Sequence, residues 1–290
     1  MNNREGAILN AIRNCAPLQL PKFGDVEVHI LTSANDCICA AWALRTLMCS
    51  LNLCLPVRIH DDGTLKLRHC NFLYHLFPGA EIIIRSKADV RMRQALAPFS
   101  RCLQLRHLSV LAMKLFDFAE YCTAEKYIVM DSDVLFFSPA KFLRDQIESG
   151  RVNSFNRDLD SVYTVDLDAT VKHGFVLEKA INSGLGVVHR QSIQFDLIEE
   201  YLSLPTTTQY DWSWEQTLYA MCSTMFGHKF LPKEYDVYLN GRDIESQVSR
   251  HYVKPIRELF VREGLKVVCE RMGIVIDLSE FTNDYGKGYS

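Results

Sequence analysis

Apolar and polar positions in the first half of the chain switch repeatedly between a strand pattern and a helix pattern. Val26 to Leu31 predicts a strand closed by Thr32-Ser33. Ser33-Ala34-Asn35-Asp36 then resembles a helix-capping sequence, and Leu44, Leu47, Met48 and Leu51 keep helical spacing. Leu55 to His60 predicts a second strand, ended by the turn residues Asp61-Asp62-Gly63. His69 to Leu76 predicts a helix stopped at Pro78-Gly79, and Glu81 to Arg85 a third strand. Leu105, Leu108, Leu111, Ala112, Leu115 and Ala119 mark one long amphipathic helix. Tyr127 to Met130 is a short apolar fourth strand, with Asp131-Ser132-Asp133 at its carboxyl end. Four such alternations predict an α/β fold with a mixed, mainly parallel sheet and right-handed crossovers. Sheets of this kind bind ligands outside the carboxyl ends of their strands.

The second half is less regular. Val187-Val188, after Asn182-Ser183-Gly184, predicts a strand, followed by a helix from about Ser192 to Leu202. Trp214, Leu218, Met221 and Met225 predict a helix beginning near Ser213, and the residues from Leu278 onward read as a loose tail.

No repeat, low-complexity tract or linker divides the chain, so the 290 residues are expected to form one domain. With 32 basic and 35 acidic side chains there is no electrostatic reason to expect nucleic acid as a partner. No signal-peptide pattern opens the sequence and no apolar run reaches membrane-spanning length, so a soluble, cytoplasmic protein is expected. The ten cysteines include no CxxC and read as small buried residues in a reducing compartment. A zinc site from Cys37, Cys39, Cys49 and Cys54 fits no common ligand spacing.

The chemistry-bearing signal is Tyr127-Ile128-Val129-Met130-Asp131-Ser132-Asp133-Val134-Leu135. Two carboxylates two residues apart lie between runs that favour burial. Buried carboxylates are costly unless paired, hydrogen-bonded or bound to a cation, and a divalent cation relieves the repulsion between two of them. The plain alternative is a surface turn whose aspartates cap the backbone.

On these residues the chain resembles nucleotide-sugar glycosyltransferases of the GT-A (Rossmann-like) fold, in which an Asp-x-Asp motif holds Mn²⁺ or Mg²⁺ against the donor diphosphate. Further segments match in order: Leu111-Ala112-Met113-Lys114-Leu115-Phe116-Asp117, Ile181-Asn182-Ser183-Gly184-Leu185-Gly186, Trp214-Glu215-Gln216-Thr217-Leu218 and His251-Tyr252-Val253-Lys254-Pro255. The last two resemble the retaining GT8-like families, and Ile59-His60-Asp61-Asp62-Gly63 resembles bacterial glycosyltransferase-like chains without an assigned substrate. The GT8-like pattern spaces its late His and Lys more widely and has a Trp after Lys-Pro, where this chain has Ile256.

The resemblance implies 1–137 as a nucleotide-binding half, 138–277 as a sugar- and acceptor-binding half, and Asp131, Asp133 and His251 as metal ligands. It implies donor contacts from Thr32, Ser33, Asp62, Lys114, Ser132, Asn182, Ser183, Gly184 and Lys254, whose role Arg257 or Arg262 could take instead, and catalytic roles for Gln216 and Glu215. The implied reaction moves a sugar from a UDP-sugar to an unidentified acceptor, with retention. Alternatives stand beside each assignment. Lys114 pairs with Asp117 along one helix face, Asn182-Ser183-Gly184 is a turn into a strand, and Ser213-Trp214-Glu215-Gln216 is a capping box occupying Gln216. If inverting, the enzyme needs a base, Glu215 or Asp211. Competing functions are a haloacid-dehalogenase-like phosphohydrolase, with Asp131 as nucleophile, and a non-catalytic nucleotide- or glycan-binding protein on the same fold.

Overall fold

The computed structural model describes residues 3–163, 165, 167–204, 213–240 and 242–275. Helix α1 (Asn3–Arg13) precedes the first alternation, which is strand β1 (Val26–Thr32), helix α2 (Cys37–Leu51) and strand β2 (Val57–Asp61). Helix α3 (Leu67–Leu76) and strand β3 (Glu81–Ile83) follow, and Gly79 closes the turn between them at φ +97°, where a Cβ would meet the Leu20 backbone.

Two expectations fail in the next segment. Arg85 does not prolong β3 but opens helix α4 (Arg85–Ala95). Only Ala88 and Met92 of α4 are buried, too few to give a visible apolar stripe. The single long helix is two, α5 (Ser100–Leu108) and α6 (Ala112–Tyr121). Ser109 is extended at φ -119°, ψ 119°, so Leu108 and Leu111 leave the core and stand exposed.

Strand β4 (Lys126–Met130) pairs in parallel with β1 (Ile30 opposite Met130), and β1 pairs in parallel with β2 (Thr32 opposite Asp61). The carboxyl ends of these three strands therefore finish side by side. After β4 come a short strand β5 (Val134–Phe136), helix α7 (Lys141–Ser149), strand β6 (Asn153–Arg157) and helix α8 (Leu167–Lys172). Strand β7 (Ile181–His189) runs antiparallel beside β4; Asn182-Ser183-Gly184 thus lies within a strand rather than in a turn before one. Helices α9 (Phe195–Leu202) and α10 (Trp214–Phe226) and strand β8 (His228–Phe230) complete a seven-stranded sheet in the order β3-β2-β1-β4-β7-β6-β8. Four of its six neighbouring pairs are parallel.

The pleat of β4 shows how the sheet separates two cores. Ile128 and Met130 face the layer holding α1–α3, α7 and helix α11 (Lys266–Met272). Tyr127 and Val129 face the layer holding α4–α6, α9 and α10. Each such fully buried side chain contributes about 1.5–3 kcal/mol. All ten cysteines are free; burial pushes the Cys37, Cys39, Cys122, Cys222 and Cys269 thiols up to about 12. Among the described residues Cys37, Cys39, Cys49 and Cys54 join no converging ligand group. No described helix is long and apolar enough to cross a membrane. Asp211 and the segment from Leu278 onward lie outside the described residues.

Candidate metal and ligand site

The chain after β4 turns sharply and pairs β5 with strand β9 (Ser249–His251), Val134 opposite His251. The Asp133 carbonyl accepts from Tyr252 N at 2.9 Å, and Asp131 N donates to the Gly184 carbonyl at 2.8 Å. The Asp-x-Asp turn is thereby fastened to β9 on one side and β7 on the other. His251 Nε2 lies 3.1 Å from Asp133 Oδ1 and 3.5 Å from Asp131 Oδ2. Asp133 and His251 are buried, and ligand atoms of the three residues lie within 4.8 Å of one another. Burial alone would raise the Asp133 carboxyl, but His251 and Arg257 outweigh it and hold it below its ordinary value. The converse holds for His251, which burial would lower and Asp133 raises.

Strand β7 orients the histidine. Opposite β6 its register slips, so that Phe155 faces Gly186 while Asn156 faces Asn182, and the bulge turns Asn182 toward β9. His251 Nδ1 lies 2.9 Å from Asn182 Oδ1, which also accepts from Gly184 N at 3.0 Å. An oxygen can only accept, so Nδ1 carries a proton, while Nε2, which the two carboxylates keep protonated, is the nitrogen that gives its lone pair to a cation displacing that proton. Gly184 makes the cradle: a Cβ there would collide with Cε1 and Nδ1 of His251. Two carboxylates and one neutral imidazole, with its other nitrogen tied to an amide, fit a hard to borderline dication such as Mn²⁺ or Mg²⁺.

Lys114, on α6, is buried with its Nζ 2.7 Å from Asp131 Oδ1 and 3.3 Å from Glu215 Oε1. Its expected helix partner Asp117 is taken by Arg106 instead, at 2.7 and 2.9 Å. Burial would lower the Lys114 ammonium, but Asp131 and Glu215 raise it, so it stays charged. Burial pushes Glu215 up to about 7 despite Lys114, and Ser183 Oγ donates to its Oε2 at 2.8 Å. Gln216 does not cap α10. Its Oε1 accepts from Ser183 N at 3.3 Å and its Nε2 donates to Asp158 Oδ2 at 3.4 Å, so the capping-box expectation is overturned by tertiary partners.

A cleft of about 200 Å³ opens beside these groups. Thr32, Ser33, Asp62, Lys114, Asp131, Ser132, Asp133 and Arg257 all line it, eight of the residues singled out in the sequence. Leu31, Asp36, Val110 and Leu111 complete the wall and were not foreseen. Asp36 precedes α2 and pairs with Arg257 Nη2 at 2.5 Å, while Arg257 Nη1 reaches Asp133 Oδ2 at 2.8 Å. Asp61 is spent on structure, its Oδ1 accepting from Gly63 N and Leu65 N. Lys254 is exposed on a short 3₁₀ turn (Lys254–Ile256), and of Lys254, Arg257 and Arg262 only Arg257 lines the cleft.

A second buried group of potential ligands, Glu27, His29 and Cys122, lies near the opposite end of the sheet. There Glu27 already accepts from Arg58 Nε at 2.7 Å, His29 Nε2 lies 3.1 Å from the same carboxylate oxygen, and Thr123 also donates. The carboxylate is neutralised by Arg58, and the cluster is satisfied without a cation.

No family model matches the chain, and no curated protein sequence does. Solved structures do. Mouse xyloside xylosyltransferase 1, in its apo form, superposes with a TM-score of 0.54 at 10% identity, covering 82% of this chain and 99% of that one. The galactosyltransferase LgtC, in complex with donor and acceptor sugar analogues, gives 0.53 at 13% identity, covering 88% and 98%. Core-mannan synthase A from Aspergillus fumigatus, in its Mn/GDP form, gives 0.50 at 10% identity, covering 74% and 75%. At such identities the likeness establishes the fold: the chain has the GT-A glycosyltransferase fold.

Proposed function

We propose that this protein is a metal-dependent glycosyltransferase that moves a sugar from a nucleoside diphosphate sugar, a UDP-sugar, to an acceptor hydroxyl with retention of configuration. The observation that carries the reading is the convergence of Asp131, Asp133 and His251 at the carboxyl end of β4, on the edge of a cleft closed by Lys114 and Arg257. The Mn/GDP form of the A. fumigatus neighbour adds support for a dication beside a nucleotide.

Asp131, Asp133 and His251 would hold the dication, Mn²⁺ or Mg²⁺, which when bound offsets the charge that builds on a departing diphosphate. Arg257, already in contact with Asp133, adds a fixed positive charge on the cleft's edge, and Lys114 holds Asp131 from beneath. Thr32, Ser33 and Asp62 line the stretch where the nucleoside would lie. Ser183, Glu215 and Gln216 form one bonded group against Lys114 and would back the donor sugar.

Retention is supported by what Glu215 does. Only 3% of it is exposed, and both oxygens face protein groups, Ser183 and Lys114. An inverting reaction requires a base open to the acceptor hydroxyl. Attack from the donor's own face needs none, because the departing phosphate oxygen takes the acceptor's proton.

The test is a thermal-shift titration with UDP and GDP, each with and without Mn²⁺. Saturation at about 100 times Kd stabilises a fold by about 2.7 kcal/mol, a shift of several degrees. The expected result is a shift with UDP that requires Mn²⁺. A shift with GDP alone reassigns the donor. No shift with either nucleotide, alongside one with Mg²⁺ and a phosphate mimic, would favour phosphohydrolase chemistry instead.

A further inference from the structure

We propose that Asp158 is a positioning residue for the metal site, acting on His251 through the Asn182 amide without touching any of the three ligands. The proposal rests on the reading of Asp131, Asp133 and His251 as a cation site. Asp158 follows β6, and its backbone N donates to the Ala180 carbonyl at 2.8 Å, which holds it against the start of β7. Its Oδ2 accepts from Asn182 Nδ2 at 2.9 Å and from Gln216 Nε2 at 3.4 Å, while Oδ1 accepts from Leu159 N at 2.8 Å.

The direction of the amide is what matters. An ionised carboxylate only accepts hydrogen bonds, so the end of Asn182 that meets Asp158 must be its nitrogen. The oxygen is then turned to His251 Nδ1 at 2.9 Å, with Gly184 N sharing the task from the backbone. An oxygen facing Nδ1 fixes a proton there and reserves Nε2, beside Asp133 and Asp131, as the nitrogen that a cation can take. A reversed amide would place a donor on Nδ1, move the proton to Nε2, and block the face that a cation needs. Asp158 thus sets the tautomer of His251 at two removes, and through Gln216 it ties the same carboxylate to the residues that back the cleft.

The experiment measures Mn²⁺ binding to the full chain by the electron paramagnetic resonance signal of the free ion, for the unaltered protein, Asp158→Ala and Asp158→Asn. Losing an outer partner of a metal ligand lowers affinity by about 10–100-fold, and that range is expected for Asp158→Ala. Asp158→Asn keeps an acceptor oxygen for Asn182 and is expected to bind within about threefold of the unaltered chain, on the same scale. Loss in Asp158→Asn equal to that in Asp158→Ala would mean that bare negative charge is what counts, and would overturn the proposal. Unchanged affinity in Asp158→Ala would overturn it as well. Asp158→Leu, similar in shape and without an acceptor, carries the same expectation if the alanine variant does not fold. Should the unaltered chain bind no Mn²⁺, the cation reading itself fails and takes this proposal with it.

Discussion

Lys114 Nζ lies 2.7 Å from Asp131 Oδ1, so the first carboxylate of the Asp-x-Asp turn is held from beneath by a buried ammonium. The same ammonium is 3.3 Å from Glu215, and these two contacts join α6, β4 and α10 at one point. Removing one partner from a buried charge group costs about 3–5 kcal/mol, because the remaining charges lose their compensation. Lys114→Met is therefore expected to lower stability at pH 8 by roughly 3 kcal/mol, near the lower end of that range since Asp131 stays partly exposed. Glu215, already pushed up to about 7, is expected to take a proton in the variant. Neutralising it relieves part of the loss, so the gap between the two proteins should narrow at pH 6. Urea denaturation at both pH values, in the absence of metal, checks this; a gap that widens toward pH 6 contradicts it.

Gly184 is the position where the smallest change should do the most harm to the proposed metal site. A methyl group there would strike the His251 ring and lie 2.8 Å from Asn182 Oδ1. Gly184→Ala is expected to displace the imidazole and weaken Mn²⁺ binding by about tenfold or more, the scale of a misoriented ligand. The sheet itself should survive, because Gly184 lies in the bulge rather than in the regular register. Isothermal titration with Mn²⁺ alongside far-ultraviolet circular dichroism separates the two effects; normal affinity in a folded variant would show that the cradle is loose.

Asp133→Ala bears on the activity as well as on the metal. It removes a buried carboxylate that meets both His251 and Arg257. Donor binding should lose its dependence on Mn²⁺, and turnover should fall by at least about 10²-fold, the scale of one lost electrostatic contact in a transition state. Donor hydrolysis followed with and without added Mn²⁺ measures both, and turnover near that of the unaltered chain would sink the transferase assignment.

What the sequence made legible follows from how local each signal is. The Asp-x-Asp turn is visible because an apolar strand and two carboxylates are contiguous, and four alternations are enough to draw the parallel half of the sheet. Asp36 could not be found that way. Ser33 Oγ accepts from Asp36 N and donates to its carboxylate, which reads as a local cap, whereas its cleft partner Arg257 is 221 residues distant. Gln216 shows the opposite error, a convincing local capping pattern overridden by Ser183 and Asp158 from other elements. The second half of β7 was legible in Val187-Val188, but its start at Asn182 was not, because the apolar alternation is interrupted by Ser183-Gly184, the very bulge that brings Asn182 to His251. Short pieces such as β5 and β9 have no pattern of their own; only their pairing delivers His251 to Asp133.

A buried chain of Glu27, His29 and His60 across β1 and β2 is expected to contribute to how the fold responds to acid. Glu27 lies 3.1 Å from His29 Nε2, and His29 Nδ1 lies 3.0 Å from His60 Nε2. Burial lowers both histidines below their ordinary value, more than Glu27 restores to His29, and Arg58 and Arg106 lower His60 further. Glu27 is itself lowered, because bonds from His29, Arg58 and Thr123 outweigh its burial. A group with a depressed folded value takes up protons more readily when unfolded, so stability falls as pH falls. The histidines begin this loss below about pH 6.5, their unfolded value, and Glu27 continues it below about 4.3. At pH 5.5 each histidine that stays neutral in the fold accounts for up to about 1.4 kcal/mol. The His60 ring packs at a tilt against Phe118, with centroids 4.6 Å apart, so His60→Phe keeps an aromatic ring there and removes one titrating group. Its stability at pH 7.5 drops by the lost His29 contact, but the further loss on going to pH 5.5 should shrink by up to the same 1.4 kcal/mol or so. Urea midpoints for both proteins at the two pH values decide the matter. An undiminished pH dependence in the variant would place the acid-sensitive group elsewhere.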